Sequence, residues 1–133
     1  MSMKTIKNTA AAAFALAVFS LSASAEGLIK RTILTQADLA GVDGMEVITG
    51  HYVVQPGGHF PLHTHHGDEH VIVSRGGTVM TADGQEIMLE TGVGLSFARG
   101  VVHGGLTITG DTPLEIYTVH IVDKGKPLMV LVE

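Results

Sequence analysis

The sequence predicts an all-β fold, a single jelly-roll barrel with little helix, and three observations lead to this prediction. Apolar and β-branched residues recur in short runs of strand length rather than at helical spacing. Glycine occurs 17 times, mostly between these runs, where the tight corners of a closed β structure need it. The dipeptide Asp83-Gly84 separates two of the runs and is a strong hairpin signal.

The first 25 residues are predicted to be a signal peptide that is cleaved and takes no part in the fold. Two lysines precede an apolar stretch over residues 10–21, and Ala23-Ser24-Ala25 is typical of a cleavage site before Glu26. The apolar stretch is shorter than the about 20 residues that a membrane-spanning helix needs, so an uncleaved anchor is the weaker alternative. We expect export, to the periplasm, and a mature chain of residues 26–133 that forms one barrel domain.

The charge and the composition of the mature chain limit the classes of partner. Eight basic residues, less the two lysines in the signal peptide, leave six against 13 acidic ones, a net charge of −7 with histidine neutral. This sign argues against nucleic acid and anionic membranes as partners. Without cysteine, the chain has no thiolate ligand and no disulfide. We expect a small-molecule substrate or ligand, and a homodimer remains open.

The elements of the mature chain are expected in the following order. A short turn of helix over residues 36–40, capped by Thr35, comes first. Six strands follow, at residues 45–54, 69–74, 78–82, 85–89, 94–97 and 114–122. Met80 and Met88 are expected to fill the core. The apolar tail, residues 124–132, is expected to pack on the barrel or on a partner subunit.

Residues 57–76 contain five of the eight histidines, and the spacing of two of them predicts a metal site. On a strand, His63 and His65 point to the same face about 6.6 Å apart, so both can reach one ion at about 2.1 Å, whereas on a helix they diverge. Glu69 begins the next predicted strand, and if the two strands pair as neighbours it adds a carboxylate. His103 is the best-placed third imidazole.

These residues resemble the two sequence motifs of the cupin superfamily. Every fixed position of the first motif is matched, by Gly57, His63, His65, Glu69 and Gly76. The second motif is matched at Gly92, Gly100 and His103. Ala98 stands where the motif has proline and Thr107 where it has asparagine, departures that affect a turn and a strand residue rather than a ligand. The two motifs span residues 57–107, about half of the mature chain.

The resemblance implies a cupin barrel that holds one divalent transition metal ion. Its ligands would be His63, His65, Glu69 and His103, and Glu69 would also act as a catalytic base. This ligand set suits Fe, Mn, Ni, Co, Cu and Zn, so the sequence does not identify the metal. One hypothesis is a metal-dependent enzyme acting on a small oxygenated substrate, either like the quercetinase-like dioxygenases or as an isomerase or lyase. The alternative is a non-catalytic periplasmic protein that binds a metal or a small ligand.

Four further histidines have other expected roles. His59, His66 and His70 are predicted to be solvated, in loops or on an outward face. His120 shares a strand face with Ile116 and Thr118. If that face points into the barrel, His120 lies near the ligands or the substrate, and otherwise it packs against a neighbour. We favour the second alternative because a strand in a two-layer fold can bury either face.

Overall fold

The computed structural model describes residues 25–133, so the predicted signal peptide lies outside the described residues except for Ala25. A 3₁₀ turn, Ala25–Leu28, is followed by eleven strands, and the described part contains no α-helix. None of its helical segments is long and apolar enough to cross a membrane. The strands are β1 (Ile29–Asp38), β2 (Met45–Val54), β3 (His59–Phe60), β4 (His63–Thr64), β5 (Gly67–Arg75), β6 (Gly77–Met80), β7 (Glu86–Leu89), β8 (Gly94–Phe97), β9 (Leu106–Ile108), β10 (Leu114–Asp123) and β11 (Val130–Leu131).

The strands form two main antiparallel sheets with a core between them. One sheet has five strands in the order β1-β2-β10-β5-β8, the other has four in the order β3-β9-β6-β7, and β11 pairs with β4. The buried core draws on both sheets and consists of Val54, Val71, Val73, Val79, Ile108, Leu114 and Ile116. Two antiparallel sheets, with the chain crossing from one to the other and the core between them, form the predicted jelly-roll barrel.

The strands that begin and end at clear turn signals have the predicted positions. β2 and β8 have the expected bounds, and β10 is one residue longer than expected. The Asp83-Gly84 hairpin is confirmed, since β6 and β7 pair on either side of it with Met80 opposite Glu86. The tail returns to the barrel, where Val130 and Leu131 of β11 pair with β4.

Two predictions about individual elements were wrong. The helical turn at residues 36–40 does not form, because β1 continues to Asp38 in a ladder with β2 that satisfies its backbone groups. A single helical turn would satisfy far fewer of them. Met88 is 61% exposed on β7 and fills no core.

The alternation of side chains on β5 and β10 decides what faces the barrel interior. β5 buries Glu69, Val71 and Val73 and exposes His70 between them. β10 buries every second residue, including Thr118 and His120. His120 lies opposite Glu69 in the β5–β10 register, so the two side chains point inward together.

The start of β5 leaves no room for a side chain, which gives a test of the fold. A Cβ on Gly67 would lie 2.6 Å from the Cα of Val122 on β10. We expect Gly67→Ala to lower the free energy of unfolding by about 2 kcal/mol, as overpacking does, in urea titrations. Gly77→Ala is the matched control, because a Cβ at this buried strand glycine meets no atom within 4 Å. Equal losses in the two variants would contradict the tight approach of β5 to β10.

Candidate metal centre

The structure brings together the four residues predicted as metal ligands. One potential ligand atom from each of His63, His65, Glu69 and His103 lies within 4.8 Å of the others. The first three are buried and His103 is partly buried. His103 reaches the cluster from the loop between β8 and β9, where it forms a β-bridge with His63.

The strands that carry the histidines and Glu69 do not pair with each other. β4 pairs with β11, whereas β5 pairs with β10 and β8. Glu69 nevertheless lies beside His65, with its Oε2 3.1 Å from His65 Nε2. This contact forms because only two residues separate β4 from β5, and Glu69 is the first carboxylate on the inward face of β5.

Each of the three imidazoles is oriented by a backbone carbonyl at its Nδ1. The acceptors for His63, His65 and His103 are the carbonyl oxygens of Pro61, Leu128 and Val101, respectively. A carbonyl oxygen can only accept a hydrogen bond, so Nδ1 must carry the proton. In the neutral ring, the Nε2 lone pair is then free to bind a metal ion, as is usual for histidine ligands.

The contacts of Glu69 Oε2 show that a positive charge belongs in this cluster. This oxygen lies 3.1 Å from Nε2 of His65 and 2.7 Å from Nε2 of His103. If both rings are neutral with Nδ1 protonated, an ionised carboxylate faces two lone pairs, which repel it. A proton on each ring or a shared cation removes this conflict. Three imidazole nitrogens and one carboxylate oxygen suit a divalent transition metal ion, without selecting one.

Burial and the neighbouring charges set the protonation of the cluster. Burial would raise the pKa of Glu69, but the hydrogen bond from His65 and the nearby imidazoles outweigh it and lower that pKa. Burial likewise would lower the pKa of His65, yet its bonds to Glu69 and Leu128 raise it. Burial lowers the pKa of His63. Glu69 ionised and His63 neutral are the forms that bind a cation.

Close packing holds the imidazoles of His103 and His63 in place. The ring of Phe97 stacks on that of His103, with centroids 4.0 Å apart and planes 7° from parallel. Gly104 has a φ of +90°, and a Cβ there would lie 2.9 Å from His63 Nδ1 and would contact the Pro61 carbonyl. A glycine is therefore needed directly after His103.

The alternative we favoured for His120 was wrong, because this residue faces the cluster. The residue is 1% exposed, and its Nε2 lies 3.6 Å from Glu69 Oε1. Burial lowers the pKa of His120 to about 4, so the ring is neutral at pH 7. The sequence shows that His120 shares a strand face with Ile116 and Thr118. Only the register between β10 and β5 shows that this face points into the barrel.

The other histidines of residues 57–76 lie outside the cluster. His59 contacts Thr107 through Nδ1 at 2.9 Å, and His70 contacts Ser96 at 3.2 Å, both at exposed positions. His66 is partly buried but contributes no atom to the cluster.

The cluster forms part of the wall of a cavity of about 510 Å³. Most of the lining is apolar and comes from both sheets, as with Val71, Phe97 and Leu106. The remaining polar lining residues are Arg31, Tyr52, Thr118 and His120. Sequence reasoning missed Arg31 and Tyr52, because no local pattern marks them and Arg31 lies on the unpredicted strand β1.

A family comparison agrees with this fold and cluster. The model of the Cupin domain family matches residues 50–120, just over half of the chain. The chain belongs to the cupin family. The predicted superfamily membership is therefore confirmed, and the matched segment includes all four residues of the cluster.

Solved structures support the same fold for this cupin. A cupin domain from Bordetella pertussis Tohama I is 23% identical with a TM-score of 0.52, covering 70% of this chain and 92% of its own. The polyketide cyclase RemF from Streptomyces resistomycificus is 18% identical (TM-score 0.56), covering 80% and 73%. The DMSP lyase DddQ from Ruegeria pomeroyi DSS-3 is 17% identical (TM-score 0.57), covering 85% and 56%. No curated protein sequence matches this cupin significantly.

Metal retention tests which histidines of this cupin are ligands. We expect His63→Ala, His65→Ala and His103→Ala each to remove most of the bound metal in equilibrium dialysis, because each removes one of the three imidazole nitrogens of the cluster. His59→Ala and His66→Ala are the controls and should retain it, because neither ring belongs to the cluster. Equal metal loss in all five variants would contradict a defined site and indicate diffuse binding by histidines.

Proposed function

We propose that this cupin is a metal-dependent enzyme that acts on a small oxygenated organic substrate, with His63, His65, Glu69 and His103 as ligands of one divalent ion. The observation that carries the proposal is the position of the cluster in the wall of a cavity of about 510 Å³. Four protein ligands leave one or two positions on a five- or six-coordinate ion. An ion bound next to a cavity can contact a substrate, whereas a purely structural ion is normally enclosed by its ligands.

The two oxygens of Glu69 have different surroundings, and this supports a second role for the residue. Oε2 contacts His65 and His103, while Oε1 faces His120 at 3.6 Å. Oε1 is therefore the oxygen that can accept a proton from a substrate in the cavity. Nε2 of neutral His120 is 3.6 Å from this oxygen, too far for a hydrogen bond between them, so its hydrogen-bond partner would be the substrate. A bound divalent transition metal supplies Lewis-acid chemistry and, where it is redox-active, electron transfer.

The class of reaction stays open between oxygen-dependent and oxygen-independent chemistry. The resemblance to quercetinase-like dioxygenases is the reason to test oxygen-dependent chemistry. Two proteins of similar fold are named as a polyketide cyclase and a DMSP lyase, so the same barrel also carries enzymes of other classes. At 17–18% identity, neither name transfers to this chain.

The role of Glu69 distinguishes an enzyme from a binding protein. We expect Glu69→Gln to retain most of the metal, because three imidazoles remain, and to lower kcat about 100-fold or more, because an amide cannot accept the proton. Wild type and variant are loaded with each candidate divalent ion and assayed against enediols, flavonol-like enols and uronic acids. Oxygen uptake and substrate loss are measured with and without air.

Each result of that assay has a definite meaning. Oxygen-dependent substrate loss indicates a dioxygenase-like enzyme, and oxygen-independent loss an isomerase or lyase. Equal turnover by wild type and Glu69→Gln would contradict the proton-accepting role. Tight metal binding by wild type without turnover for any ion would overturn the enzyme proposal and favour a non-catalytic binder.

We also propose that the protein is exported to the periplasm and that its mature form begins at Glu26. The support is the order of lysines, apolar stretch and small residues in residues 1–25. Protein recovered from the periplasm should show Glu26 as its first residue by intact mass. Ala25→Arg should block cleavage and leave the full-length chain associated with the membrane fraction, whereas Glu26→Gln should be processed normally. Full-length wild type in the cytoplasm would contradict export.

A further inference from the structure

A row of polar side chains crosses one wall of the otherwise apolar cavity. The wall is the inward face of the five-stranded sheet, where Arg31 on β1 lies opposite Tyr52 on β2. Thr118 and His120 follow on β10, and His120 lies opposite Glu69. The row therefore runs from the metal cluster on β5 to a cation on β1. The two ends are three strand spacings apart across the sheet, about 14 Å, and four residues apart along the strands, about 13 Å, so their backbones are about 19 Å apart.

The middle of this row contains buried polar atoms without partners. Thr118 and His120 are 2% and 1% exposed, and neither the hydroxyl of Thr118 nor either ring nitrogen of His120 has a hydrogen-bond partner. Buried polar groups are almost always hydrogen-bonded, so these atoms need a partner from the cavity. Gly50 lies opposite Thr118, and a Cβ there would be 3.0 Å from its Oγ1 and 3.1 Å from the Tyr52 ring. A side chain at position 50 would therefore press against both groups.

The far end of the row is positively charged. Arg31 is exposed at the edge of the cavity and forms no ion pair with another described residue. Arg31 and Tyr52 are directly opposite each other in the β1–β2 register, so their side chains lie on the same face of the sheet. Burial raises the pKa of Tyr52, while the charge of Arg31 acts in the opposite direction. At neutral pH the pair therefore presents a guanidinium and a phenolic O–H, both of which donate hydrogen bonds to an anion.

We propose that the cavity binds an organic carboxylate whose charged end is held by Arg31 and Tyr52 and whose apolar body packs against the cavity walls. The opposite end of this ligand lies next to Thr118, His120 and the cluster, and its role there as a substrate rests on the proposed function. The walls that contact the body include Val71, Leu106 and Ile116, the last opposite Tyr52 in the β2–β10 register. The overall charge of the chain is negative, so binding of an anion depends on this local arrangement.

Matched carboxylates and amides test the proposal. The probes are benzoate, 3-phenylpropionate and 4-phenylbutyrate, each with its amide, and binding to the chain from Glu26 onward is measured by titration calorimetry with and without bound metal. The expected result is a dissociation constant about fivefold or more lower for at least one carboxylate than for its amide. Absence of this preference in all three pairs, or absence of binding, overturns the proposal.

Two variants test whether Arg31 is the source of the preference for carboxylates over amides. In Arg31→Gln, the affinity of the protein for the carboxylate should fall to its affinity for the amide. The affinity for the amide should stay unchanged. Lys30→Gln removes the same charge from the opposite face of the same strand and should keep the preference. Equal effects of the two variants would show a general charge effect and overturn the anchor at Arg31. Melting temperatures and metal contents of the variants are measured in parallel, so that loss of folding is distinguished from loss of the anchor.

This design separates the anchor from the proposed enzyme activity. If no metal supports turnover but metal-free protein prefers carboxylates in an Arg31-dependent way, the proposed function fails and the anchor stands. If turnover occurs on neutral substrates and Arg31→Gln changes no affinity, the anchor fails and the proposed function stands.

Discussion

Three hydrogen bonds from imidazole Nδ1 to backbone carbonyls determine where the nitrogens of the site point. The carbonyls belong to separate segments, since Pro61 precedes β4, Val101 follows β8 and Leu128 lies in the tail. All three segments must be in place before the Nε2 atoms converge. Closing the barrel and assembling the cluster are therefore the same event, and the His63–His103 bridge contributes to both.

The burial of Glu69 shows that this interior is not arranged for stability alone. The residue is 7% exposed in a cavity with mostly apolar walls. A buried carboxylate loses solvation that its partners must replace, and well-packed apolar residues commonly stabilise an interior as much or more. The four surrounding imidazoles restore part of that loss, and a cation restores more. Such an arrangement is typical of binding and catalytic sites.

Local sequence patterns made the four residues of the cluster predictable. The remaining features of the site depend on pairing between distant strands and could not be predicted in this way. His63 and His65 share a face through the period of a strand, and turn residues marked the ends of β2 and β8. In contrast, the sequence at the end of β1 is typical of a helical turn, and only the pairing of β1 with β2 shows that it is a strand. Whether Arg31, Tyr52 and His120 face the cavity depends on registers between strands far apart in sequence, which no single segment contains.

The dependence of His65 on Leu128 determines when the site can exist. The acceptor for His65 Nδ1 lies 63 residues later, near the end of the chain. A growing chain contains its histidines long before that carbonyl and β11 have been made. Only a chain that has been made as far as Leu128 can complete this ligand geometry, so the cluster is one of the last parts of the barrel to become complete.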